Sequence, residues 1–95
     1  MKNQINYPIT IKIIYEKEAK SAPYVAYIPE FDVSSCGKTE EDAIKNAKET
    51  LEIVIEEAKQ QGKLDEFLEE LGLIPSAKYK FDFPKIIIEP FAFQI

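Results

Sequence analysis

Tyr24–Ala47, YVAYIPEFDVSSCGKTEEDAIKNA, places a strand, a turn, a second strand and the start of a helix in immediate succession. Tyr24–Ile28 is apolar on both faces, the pattern of a strand in the middle of a sheet. Pro29 has no N–H to give to a ladder and ends it. Val33–Cys36 reads as a short return strand, and Gly37 supplies a permissive turn before the helix. Thr39 is a good N-cap, and Glu40, Glu41 and Asp42 put carboxylates at the positive end of the helix dipole.

At roughly 100° per residue, Ala43, Ile44, Ala47, Leu51, Val54, Ile55 and Ala58 fall on one helical stripe, which stops at Gly62. Ile53 falls on the opposite face, as a stray surface residue or as a subunit contact. Upstream, Tyr7, Ile9, Ile11, Ile13 and Tyr15 alternate with Thr10 and Lys12 at the period of a half-buried strand. Ile14 interrupts the polar row. Downstream, Leu64, Phe67, Leu68 and Leu71 line one side of a short helix that Gly72 terminates, giving a helical insert at about 63–75. Residues 75–84 read as a link, and the β-branched run from Lys85 reads as a last strand at about 85–93. The stretch IIIEPFAFQI, Ile86–Ile95, would aggregate if left bare. It is expected to complete the sheet or to pack against another copy, through Phe91 and Phe93 with Ile53. The expected fold is α+β, one domain over 1–95. Its order is β-β-β-α-(short α)-β, a three- to four-stranded mixed sheet with the long helix on one face.

Ninety-five residues make one domain that buries roughly 60–65% of its unfolded surface, with little margin. No run of about 18 apolar residues exists to span a membrane, and the first fifteen residues lack the small-residue cleavage site of a secretory signal. One cysteine, Cys36, forms no internal disulfide and fits a reducing cytoplasm. All twelve basic residues are lysines, against seventeen carboxylates and a net charge of −5. The lysines do not cluster, and Lys45, Lys48, Lys59 and Lys63 are interleaved with glutamates, so direct nucleic-acid binding is disfavoured and a basic protein partner is electrostatically natural.

Catalytic arrangements fail one at a time. There is no histidine to serve as general base or metal ligand and no arginine to clamp phosphate. Cys36, Ser34 and Ser35 therefore lack an activating base, although a lysine would be a chemical substitute. Cys36 reads as a small residue in or beside a strand. One cysteine without imidazole does not make a zinc site. Glu30, Asp32, Glu40, Glu41 and Asp42 could in principle gather a magnesium ion, but the first strand offers no carboxylate and the helix acids have a structural role at the N-terminus. Three scattered glycines make no phosphate loop. The expectation is a non-enzyme with no cofactor.

Tyr24, Ala26, the Pro29-Glu30-Phe31 corner, and Gly37 followed by Thr39, Glu41, Ala43 and Ala47 resemble the HicB-like antitoxin family. The resemblance covers about residues 7–60 well and the last strand loosely. It implies a truncated ribonuclease-H-like β-β-β-α-β fold without the nuclease's catalytic carboxylates. It further implies an antitoxin that neutralises a small, basic, RNA-cleaving toxin. Two features depart from the family pattern: Asp32–Ser35 lacks a glycine after the proline corner, and the insert at 63–80 is long. Many members add a DNA-binding domain for which 95 residues leave no room, so no operator binding is expected. A toxin-binding surface is expected at an exposed corner of Glu30, Phe31 and Asp32 and at acidic helix residues such as Glu49 and Glu56. The alternative is an orphan homo-oligomeric structural or small-ligand-binding domain.

Overall fold

The structure, a computed structural model, describes residues 9–75, 81–82 and 86–95. Tyr7 and Lys85, each expected in a strand, lie outside them. The described elements run β1 (Lys12–Tyr15), β2 (Tyr24–Ile28), β3 (Val33–Gly37), α1 (Glu40–Gln60), α2 (Leu64–Glu70), β4 (Ile74–Pro75) and β5 (Phe81–Asp82). β1, β2 and β3 form an antiparallel sheet with β2 in the middle, as its two-sided apolar pattern requires. β4 and β5 pair separately with each other.

The pairing sorts the side chains by face. Ile13, Ala26 and Ser35 lie in one cross-strand row, with Ile28 and Val33 opposite each other on the same face. Ala26, Ile28 and Val33 are buried there, together with Ala43 and Ala47 of α1. Ile9, Ile11, Ile13, Leu51, Val54 and Ile55 pack around them, and Leu68 and Leu73 close the end of the core. The helical stripe expected from the sequence is therefore the buried face of α1, and Ile53 points away from it, 63% exposed.

Two devices fix where α1 sits. Thr39 Oγ1 accepts the Asp42 N–H at 3.0 Å, closing the first turn. Gly37 then lies directly beneath that turn. A Cβ on Gly37 would stand 2.5 Å from the Ala43 nitrogen and 2.7 Å from the Asp42 carbonyl carbon. The glycine is needed here for close approach of two backbones. Gly62, at φ 68°, lets the chain reverse from α1 into α2.

The strand expectations need two corrections. The three-stranded sheet is wholly antiparallel, without the parallel pairing that a mixed sheet needs. The last strand is also absent from the described residues: Ile86–Ile95 lies in no strand, and Ile87, Ile88, Phe91, Phe93 and Ile95 are exposed. β-propensity reflects packing against a neighbour, and no strand among the described residues lies beside this segment.

β1 is shorter than its alternating sequence because of what stands opposite. The register that pairs Lys12 with Tyr27 would pair Thr10 with Pro29, which is already in the turn. Glu30 replaces the missing ladder partner: its carboxylate accepts the Thr10 N–H at 2.9 Å and the Thr10 hydroxyl at 2.7 Å.

Gly37→Ala is expected to lose about 2–3 kcal/mol, because the clash is with backbone rather than with a side chain that can rotate. Urea unfolding measures it. A loss under about 0.5 kcal/mol, the range of an indifferent surface substitution, would contradict this packing.

Candidate functional site

The corner expected to be the binding surface is mostly structural. Phe31 is buried in the core, and Glu30 is only 6% exposed with its carboxylate taken by Thr10. Charge alone places a glutamate outside, but Thr10, twenty residues earlier, supplies the donors that make burial favourable. Only Asp32 is exposed, as the third member of the expected corner.

Asp32 turns the chain in the left-handed region at φ 52°, one of the few non-glycine types that tolerate it. Its carboxylate accepts the Tyr27 hydroxyl at 3.0 Å. That hydrogen bond, aided by partial desolvation and by the carboxylate's charge, raises the Tyr27 phenol above the ordinary tyrosine value of 10.0. The unfolded chain ionises first, so this contribution is complete below the ordinary value and fades as pH climbs through the raised one. Asp32→Gly keeps the backbone conformation and removes the acceptor. It is expected to shift the Tyr27 share of the tyrosinate absorbance titration to lower pH, with Tyr27→Phe identifying that share among the five tyrosines. An unchanged curve would contradict the assignment.

No group of three or more cysteine, aspartate or glutamate side chains among the described residues is placed to hold a metal ion. Cys36 is exposed on the sheet face away from α1, and its backbone carbonyl accepts the Asn46 side-chain N–H at 2.9 Å. The three acids Glu40, Glu41 and Asp42 occupy the first turn of α1.

The outer face of α1 is different in character. Glu49, Glu52, Ile53, Glu56 and Glu57 are all exposed. Positions three and four apart are helix neighbours, so Glu49, Glu56 and Glu57 surround Ile53. Lys59 reaches Glu56 only at 4.0 Å, both side chains well exposed, a pair worth little, and Lys45 and Lys48 lie beside Glu49 and Glu52 farther up the helix. Beside this face, the turn at Gly62 folds α2 along α1 and leaves an open groove of about 370 Å³. Val54, Ala58 and Phe67 supply its apolar lining, Glu57, Glu66 and Glu70 an acidic one, and Gln61 and Lys63 complete it.

Glu49, Glu56 and Ile53 are thus brought together on one surface, whereas Glu30 and Phe31 are withdrawn from it. Phe91 and Phe93 stand exposed elsewhere, their rings edge-to-face with centroids 6.4 Å apart. The groove was not legible in sequence, since it needs α2 packed beside the end of α1. The doublets Glu56-Glu57 and Glu69-Glu70 on either side of Gly62 were its only signal.

Comparison with protein-family models, with characterised proteins and with solved structures finds no match to this chain. No helix among the described residues is long and apolar enough to cross a membrane.

Proposed function

We propose that this chain is a non-catalytic protein-binding module of the HicB-like antitoxin kind, which neutralises a small basic RNA-cleaving toxin in the cytoplasm. The observation that carries the reading is the outer face of α1, an exposed isoleucine ringed by carboxylates. An interface of this form gains affinity from the apolar anchor, while the surrounding charge speeds encounter and rejects acidic partners. The groove beside it offers a lysine or arginine stem an apolar lining and its head group a carboxylate. The antiparallel β-β-β unit followed by a capped helix is compatible with the fold that the family resemblance implies. The net charge of −5 suits the same partner.

A second reading, an orphan homo-oligomeric structural or small-ligand-binding domain, is favoured by one separate observation, the bare apolar segment Ile86–Ile95.

The test is purification of the tagged chain from its native host at low salt. The expected outcome is a small basic protein in near-equal amount, released by salt, whose RNA cleavage the chain suppresses. Glu49→Lys with Glu56→Lys is expected to slow association about tenfold or more, and Ile53→Asp to speed release. A chain that carries no basic protein from cells expressing a candidate toxin would overturn the antitoxin reading in favour of the second.

A further inference from the structure

We infer that Ile86–Ile95 is an exchanged edge strand, which pairs antiparallel with the open edge of β1 in a second copy of this chain. The inference does not depend on the identity of the proposed basic partner.

The hydrogen-bond parity of β1 comes from one contact. Glu16 N–H donates to the Pro23 carbonyl at 2.6 Å, and that pair continues the register of Lys12 with Tyr27. Residues 12, 14 and 16 therefore direct their backbone groups toward β2, and Ile11, Ile13 and Tyr15 direct theirs toward the open edge. No strand pairs with this edge among the described residues. The other edge of the sheet is less available. By the same parity Cys36 points its carbonyl outward from β3, and Asn46 already donates to it at 2.9 Å. The β3 sequence there, Ser34-Ser35-Cys36, also offers an added strand little to pack on.

Ile86–Ile95 is matched to the β1 edge in two independent ways. Pro90 has no N–H, so the segment can pair on one side only, through the row 87, 89, 91, 93 and 95. That same row carries Ile87, Phe91, Phe93 and Ile95. In an antiparallel pair, residues that exchange hydrogen bonds share a face. The outward-bonding residues of β1 are Ile11, Ile13 and Tyr15, whose side chains lie on the face that α1 covers. Pairing therefore sets the apolar row of the segment beside the apolar row of β1. One register pairs all three of these residues and keeps Glu89 out of that row: Ile95 opposite Ile11, Phe93 opposite Ile13, Phe91 opposite Tyr15 and Glu89 beside Lys17. Tyr15 is 61% exposed at the end of its row, with one flank taken by the Tyr24 ring at 5.2 Å.

The occupant is a second copy because the segment stands off its own body. Phe91 and Phe93 are 77% and 75% exposed. Each segment brings two phenylalanines, about 300–500 Å². Counted over two reciprocal segments and the surfaces they cover, this reaches the roughly 1,200–2,000 Å² of a stable interface. Reciprocal exchange also closes on a two-fold axis and leaves no segment bare.

Light scattering on the purified chain is expected to give twice the 10.9 kDa chain mass. Phe91→Ser with Phe93→Ser, and separately Tyr15→Pro, are expected to halve that mass while the helical circular dichroism persists. Tyr15→Pro removes an outward N–H and leaves the ladder to β2 intact. Mixing the two variants restores one of the two junctions, so a heterodimer is expected from two chains that are each monomeric alone. In a Cys36→Ser chain that also carries Lys17→Cys and Glu89→Cys, oxidation is expected to give a covalent dimer. A monomeric wild type, a dimer that survives these substitutions, or a disulfide closed within one chain would each overturn the inference.

Discussion

The close approach of α1 to β3 at Gly37 is the constraint on which the rest depends. Because no Cβ intervenes, the backbone of the first helical turn rests on the end of the sheet. Ala43 and Ala47, both fully buried, keep the two elements close along the next turns. The Thr39 cap fixes the direction in which the helix leaves, and Asn46 ties it to the Cys36 carbonyl. With small residues in this seam, the larger Leu51, Val54 and Ile55 meet the core farther along, where Leu68 of α2 and Leu73 just beyond it close the core. One face of the sheet is thereby covered, while among the described residues nothing covers the outer face of α1 or the outer edge of β1.

Those two open surfaces have different chemistry. The helix face is acidic around a single apolar side chain, which favours a basic protein. Among the described residues no strand pairs with the β1 edge, a row of backbone groups beside isoleucines that favours another strand. On the proposed reading both surfaces are used, and each association would add burial to a small domain with a limited core. The buried Glu30 serves this division too. By taking the Thr10 N–H it holds the start of β1 against the hairpin, so the edge presented to a neighbour is fixed rather than frayed.

Much of this was legible in the residues. The middle position of β2 followed from YVAYI being apolar on both faces. The cap at Thr39, the buried stripe of α1 and the exposure of Ile53 followed from helical spacing, because local periodicity and burial agree in that element. The failures share a cause as well: each depends on a residue distant in sequence. Glu30 was read as exposed because its partner lies twenty residues upstream. Ile86–Ile95 was read as a strand because β-branched residues favour one, but a strand exists only where a neighbour is supplied. The pairing of β4 with β5, two residues each, is too short to leave a periodic signal.

Residue-resolved native-state amide exchange tests the central packing claim most directly. Ala26 and Ile28 donate toward β3, and Ala43 donates to the Thr39 carbonyl at 3.0 Å in the first turn of α1. If the Gly37 seam holds sheet and helix together, these amides open as one cooperative unit and share the slowest exchange in the protein. Substitution of Gly37 by alanine would then speed all of them together. Amides of the first half of α1 that exchange independently of β2 and β3, and ignore that substitution, would contradict the account.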